Sequence, residues 1–303
     1  MGKKAGFSPF LDTLNSITIK KTETILPIAK LTAVVGPMVT GDDIALQTSL
    51  VSPVNYDRDL CKILLKHSKF IVDDKETKLE YSHFVNTISN IDKLSMLWAI
   101  YKSTHENLSN ERELTCPVKS CKNKFKTAIS MDELIHDDTY SIWEKEDSEG
   151  NEIPFFNYRF PIKIENENND VIWEFNTKLP SIGDNNRMLS LISTDVLQYN
   201  LDNTGSIFSK SQHLTVLTDA IRVSSKTNAF DAVETSNINE ILLTCQNYLP
   251  YHASEDFFKQ YSEHFDKYVP SFYYNAVCPY CQKEFKYNVD LELEFFRTSL
   301  YAR

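Results

Sequence analysis

The chain has 303 residues, a net charge of -10, 42% hydrophobic and 24% charged residues, the composition of a folded globular protein with one large or two ordinary domains. The acidic balance argues against nucleic acid as the main partner, because neutralising phosphates requires a surplus of Lys and Arg; only the run 119–126 is locally basic. No run of about 18 apolar residues occurs, and MGKKAGFSPFLDTL at the start has no apolar segment after its lysines, so neither a membrane span nor a secretion signal is expected. Gly6 stands where a myristoylation pattern requires Ser or Thr.

Along the chain, SITIKKTETILPIAKLTAVVG at 16–36 is rich in β-branched residues and predicts one or two strands. A turn is expected at GPMVTGDD. Tyr56, Leu60, Ile63, Leu64 and His67 fall at helical spacing after Pro53, predicting a helix over 53–70. A longer one is predicted over 83–106, with Ile88, Ile91, Leu94, Leu97, Trp98 and Tyr101 as its apolar stripe and Ser89 or Asn90 as a point of interruption or re-capping. ELTCPVKSCKNKFKTAIS at 113–130 reads as strand, cysteine turn and strand, and 131–147 as a short acidic helix. From 154 to 193 the texture alternates around the turn-forming ENENND, predicting a β insertion. Helical periodicity returns at 211–223, is strongest at 237–249 (Ile238, Ile241, Leu242, Cys245, Leu249), and ends in 255–269 with Phe257, Phe258, Tyr261, Phe265 and Tyr268 on one side. The expected fold is thus α+β, with helices, two zinc-knuckle-like β-hairpins and a central β insertion. Three units are expected: 1–147, 148–205 and 206–303.

Six cysteines are too few for a disulfide framework in a chain of this size. Cys61 and Cys245 lie in helical apolar runs and are read as core residues. The other four fall in two similar segments, CPVKSCKNKFK at 116–126 and CPYCQKEFK at 278–286, each with Phe-Lys four and five residues past the second cysteine; the echo suggests a duplicated helix-and-hairpin element. The sequence CPYC also occurs in glutaredoxins, but a dithiol of that kind needs a helix N-terminus to lower its thiolate pKa. Only 22 residues follow Cys281, and Phe285, Tyr287, Val289 and Leu291 alternate with polar residues, the period of a strand.

The spacing suits zinc knuckles, tight turns between two strands that aim two sulfurs, and backbone amides, at one ion. Zinc wants four ligands, which Cys116, Cys121, Cys278 and Cys281 together provide. Two separate sites completed by other residues, or metal-free knuckles, fit the same spacing. Against the shared site stand the four-residue gap of the first pair and Lys122 and Gln282 where a left-handed turn favours glycine. His105, His136 and His264 are candidate extra ligands, but none has a metal-ligand partner at i+4, and each reads as a surface or helix residue.

No active-site pattern emerges. Gly36 and Gly41 have phosphate-loop spacing, but Asp42 and Asp43 follow where Lys and Ser or Thr are needed. Asp132, Glu133, Asp137 and Asp138 around His136 could serve a hard cation or acid–base work, but read first as a solvated acidic helix face. Lys119, Lys122, Lys124 and Lys126 beside the first pair carry an alternative, a zinc-ribbon nucleic-acid binder. An enzyme of unfamiliar type is a further alternative.

The N-terminal strand pair, TGDDIALQTSLVSPVNYDRDLCKILLKHS, ISNIDKLSMLWAIYKSTHENL, the first cysteine hairpin and the closing VCPYCQKEFKYNVDLELEFF with Phe295 and Phe296 resemble the baseplate hub or hub-assembly proteins of T-even-like contractile-tailed phages. The likeness is one of pattern and order over most of 25–145 and 235–300. It implies a structural or assembly role without catalysis, binding to hub and tube proteins of the tail, and a location in the virion baseplate and, during assembly, the host cytoplasm. Only the four hairpin cysteines carry over, as metal ligands or structural turns.

Overall fold

The computed structural model describes residues 20–49, 52–105, 109–130, 133–137, 139–165, 170–204, 208–289 and 291. Helices and antiparallel sheets make an α+β protein, as expected. The first sheet is a meander of β1 (Thr22–Leu26), β2 (Leu31–Val35), β3 (Ser68–Val72) and β4 (Lys75–Thr77). On β1, Thr22, Thr24 and Leu26 point inward while Glu23 and Ile25 face out, the two-residue period of a half-buried strand. Between β2 and β3 lie α1 (Thr40–Ser49) and α2 (Pro53–His67). The turn expected at GPMVTGDD instead opens α1, because Asp42 folds back to accept the Val39 N–H at 3.0 Å and acids suit a helix N-terminus. Helix α2 starts on its Ser52 cap and Pro53 as expected but stops at His67, where Ser68 enters β3.

The long helix expected at 83–106 is two, α3 (Tyr81–Thr87) and α4 (Asn90–Thr104), split where Ser89 caps α4 in a reciprocal box with Asp92. Asp92 is fully buried and does more than cap. Its carboxylate also accepts the N–H groups of Ile28 at 2.9 Å and Ala29 at 3.2 Å, fixing the β1–β2 turn to the start of α4. The inner face of α4, with Met96, Leu97 and Ile100, packs on Leu26, Ala33 and Val35 of the sheet and on Leu60, Cys61 and Leu64 of α2.

Next come β5 (Ser109–Thr115) and β6 (Lys124–Ser130), paired as a ribbon, and β7 (Ile135–Asp137). Among the described residues of 131–147 the expected acidic helix is not present: Ile135–Asp137 is a strand paired with residues 271–273, and 139–147 is irregular. Packing overrides the local pattern here. The His136 ring stacks on Phe272 at 4.9 Å, and Trp143, 1% exposed, is held by its backbone N–H to Pro27 O and its indole N–H to Ile153 O. Asp132 and Asp138 lie outside the described residues, and among those described no acidic cluster forms around His136.

The alternation at 154–178 yields β8 (Arg159–Glu165) and β9 (Val171–Lys178), but the rest of the expected β insertion is helical, α5 (Ile182–Leu191) and α6 (Thr194–Thr204). The helix expected at 211–223 ends early: α7 (Lys210–Val216) gives way to β10 (Thr218–Ser225), whose β-branched residues pair with β9. With β11 (Val233–Thr235) this gives a sheet of order β11-β10-β9-β8, which takes strands from both sides of residue 205. Helices α8 (Ile238–Asn247) and α9 (Tyr251–Phe265) cover it, burying Ile241, Cys245, Phe257 and Phe265 against Phe160, Ile162 and Phe175. Cys61 and Cys245 are both core residues, as read from the sequence.

The two layers meet at a pair of helix starts. Ser181 and Asp184 form a second capping box on α5, and its N-terminus docks beside that of α4 through Ile182 N–H to Ile88 O at 3.0 Å and Asn90 N–H to Pro180 O. A Cβ at Gly183 would lie 2.7 Å from Asn86 Oδ1 and 3.2 Å from Val85 O, so glycine is what permits α5 to approach α3 this closely. The chain then returns as β12 (Ser271–Val277) and β13 (Glu284–Asn288), with β12 between β13 and β7. That pairing carries the second cysteine hairpin to the first.

Candidate metal centre

Each hairpin holds its cysteines in the connection between two paired strands. Residues 116–123 join β5 to β6 below the pair Thr115 and Lys124, and 278–283 join β12 to β13 below Val277 and Glu284. Both connections close alike, with Cys116 N–H to Asn123 O and Cys278 N–H to Lys283 O, each at 3.0 Å. Both also contain a tight turn, from Val118 O to Lys122 N–H in one and Cys278 O to Gln282 N–H in the other. The turns superpose by role, so the longer gap of the first pair is two extra residues placed before the turn. It does not prevent the sulfurs from facing the same way.

The absence of glycine does not prevent the turn either. Lys122 and Gln282 adopt left-handed backbone angles, φ 48° and 58°, in which a Cβ is strained by about 1–2 kcal/mol. Gln282→Gly or Lys122→Gly is therefore expected to stabilise the protein by about 1 kcal/mol, read as a rise in the urea midpoint at constant slope. An equal or lower midpoint in both variants would count against the strained-turn account.

The four thiols converge. Their sulfurs all lie within 4.8 Å of one another, with Cys116 Sγ 3.7 Å from Cys281 Sγ and Cys121 Sγ 3.7 Å from Cys278 Sγ. Disulfides require about 2.05 Å, so neither pair is bonded. A tetrahedral ion with metal–sulfur bonds of about 2.3 Å would place its ligands about 3.8 Å apart, and these two pairs match that edge. The ligands come from segments 157 and 165 residues apart in the chain. Each hairpin gives one buried sulfur, Cys116 or Cys278, and one half-buried, Cys121 or Cys281.

Backbone amides point at these sulfurs: Val118 at Cys116, Tyr280 and Cys281 at Cys278, and Lys283 at Cys281. Burial raises the Cys278 thiol, but those two amides and the Cys281 and Cys116 thiols outweigh it and bring it down to about 7. Burial drives Cys116 the other way, to about 12, against the Val118 amide and with the three neighbouring thiols. A bound cation would displace the thiol protons. Around the sulfurs lies an apolar shell of Leu114, Val118, Phe125, Ala276 and Phe285. The two phenylalanines of the repeated Phe-Lys motif, Phe125 and Phe285, meet edge to face at 6.2 Å and lock the hairpins together.

The four cysteines singled out from the sequence therefore assemble, and the described residues contain no other such cluster. The histidines do not join them. His105 follows α4 and packs on Tyr101, His136 stacks between Trp98 and Phe272, and His264 lies beside Tyr158. The knuckle reading of the spacing already placed backbone amides beside the sulfurs; which amide approaches which sulfur could not be read from it. Of the lysines near the first pair, Lys124 faces Glu113 and Lys126 faces Glu111, each at 3.3 Å. Among the described residues no helix is long and apolar enough to cross a membrane. No protein-family model matches the chain, and neither a curated protein nor a solved structure matches it.

Proposed function

We propose that the protein is a non-enzymatic structural or assembly subunit whose two cysteine hairpins are clamped by one zinc ion. The observation that carries this reading is the four-sulfur cluster with tetrahedral spacing, built from distant segments. Cys116, Cys121, Cys278 and Cys281 would hold the ion, using all of its tetrahedral positions. A site with no open position cannot bind substrate at the metal, so its task is to join β5–β6 to β12–β13. The apparent binding free energy of structural zinc in small peptides is roughly 10–16 kcal/mol, and part of that would contribute to folding here.

Following the resemblance, the proposed setting is the baseplate hub of a contractile phage tail, with hub and tube proteins as partners. Exposed aromatics such as Tyr199, Tyr248 and Tyr251 suit protein contacts. The zinc-ribbon nucleic-acid alternative draws less support, because the lysines on β6 already face glutamates of β5. Recovery of tail components with the tagged protein from infected cells, and its presence in purified tails, are the expected results. Absence from tails together with no bound tail component would end the hub assignment without touching the metal site.

A further inference from the structure

At the seam between the two layers, where α3 meets the ends of β8, β9 and β10, lies a cavity of about 430 Å³, within the size range of small-molecule sites. Its chemistry starts in the strand register. Arg159 on β8 sits directly opposite Lys178 on β9, a like-charge pair that destabilises a sheet unless something answers it. The answer comes from β10, where the register slips between Thr218 and Ala220 and leaves Asp219 unpaired, the kind of irregularity that re-aims a side chain. Asp219 Oδ2 accepts the Arg159 Nε–H, and its Oδ1 lies 3.2 Å from Lys178 Nζ. Lys178 Nζ also donates to Asp184 Oδ1 at 2.8 Å, and Arg187 Nη1 stands 3.7 Å from the same oxygen. All five charged side chains line the cavity.

This network is short of acceptors. Three cations meet two carboxylates, in a chain whose net charge is -10. Both carboxylates are committed, Asp219 to Arg159 and Lys178, and Asp184 also through Oδ2 to the Ser181 N–H and hydroxyl of the α5 cap. Burial raises the Asp219 carboxyl, but Arg159 and Lys178 outweigh it and hold it below its ordinary value. Donors are left over. Arg159 uses Nε on Asp219 and Nη1 on the carbonyls of Phe156 and Tyr158, which leaves Nη2. The Arg187 guanidinium and the His83 ring, both on the cavity wall, make no hydrogen bond to a described residue. Lys178 is only 13% exposed, so the excess positive charge is held partly out of water, where it attracts an anion more strongly than at an open surface. Phe156, 51% exposed, and Leu179 add an apolar wall.

We propose that this cavity binds a small organic oxyanion, a phosphate or carboxylate group carried on an apolar body. Arg159 Nη2 and Arg187 would donate to its oxygens in the charge-assisted geometry that guanidinium groups favour. Lys178 adds charge, and Phe156 covers the apolar part. The site depends on neither the zinc clamp nor the tail setting.

The test is calorimetric titration of the purified full chain at low ionic strength with phenyl phosphate, benzoate and inorganic phosphate as separate probes. Saturable binding of phenyl phosphate or benzoate is expected, tighter than that of inorganic phosphate, and the tighter of the two identifies the oxyanion. Arg187→Gln removes a guanidinium that gives the fold only a 3.7 Å contact. It should keep the wild-type melting temperature and weaken binding at least tenfold, the loss of about one charge-assisted hydrogen bond. Lys69→Gln removes the same charge from an exposed pair with Glu76 on the first sheet and should leave binding unchanged. No saturable binding of phenyl phosphate or benzoate, or an Arg187→Gln affinity equal to that of Lys69→Gln, overturns the proposal.

Discussion

Cys278→Ser is expected to abolish metal retention and to destabilise the protein by on the order of 5 kcal/mol, a large part of what a structural zinc site contributes to folding. Under the proposed clamp, Cys278 is the most consequential of the four cysteines to remove. It is fully buried, it receives two backbone amides, and its thiol is the one brought down to about 7. Serine would leave those amides facing a hydroxyl that binds zinc poorly. The loss should be concentrated in β12, β13 and the β5–β6 ribbon, read as faster amide hydrogen exchange there than in α4. Cys61→Ser and Cys245→Ser provide the contrast: both side chains are buried far from the cluster in the chain, and metal content should be unchanged. If Cys278→Ser kept a full equivalent of metal and wild-type stability, the clamp would be excluded.

Asp92→Ala should have the next largest effect, about 4 kcal/mol, because one carboxylate serves several donors and its removal orphans buried groups. Ser89 N–H and Oγ, Ile28 N–H and Ala29 N–H would all lose their acceptor. The same residue imposes a pH dependence. Burial is the largest influence on its carboxyl and raises it from 3.8 to about 6, against the pull of those hydrogen bonds. The folded state therefore holds the proton more tightly than the unfolded state. This contribution to stability is complete below the unfolded pKa of 3.8 and is lost as pH rises through about 6, by roughly 3 kcal/mol. Urea unfolding of wild type and Asp92→Asn across that window is the check. The asparagine variant should gain on the wild type as pH rises, and parallel curves would refute the assignment.

The features most readable in the sequence were those specified by neighbours in the chain. The Ser89 break in the long helical run, the Pro53 start of α2 and the stripes of α8 and α9 all rest on caps and periodicity within a turn or two. The echoed cysteine segments were readable for the same reason. What was hidden depends on partners far along the chain. Ile135–Asp137 is a strand only because β12 pairs with it, and Thr218–Ser225 leaves the helical pattern because β9 is there to receive it.

The candidate centre shows the same division. Which cysteines matter could be read from local spacing, but that their sulfurs meet follows from the β7–β12 pairing and the Phe125–Phe285 contact. Glycine's absence after each second cysteine pointed the wrong way. Lys122 and Gln282 accept left-handed angles, φ 48° and 58°, because hydrogen bonds on both sides of each turn hold them there.

The most direct measurement of the central claim is zinc stoichiometry with zinc-edge X-ray absorption on the full chain, purified without chelator. The clamp predicts one zinc per chain bound by four sulfurs at about 2.3 Å. Less than about half an equivalent of metal, or a first shell containing nitrogen or oxygen in place of sulfur, would contradict it.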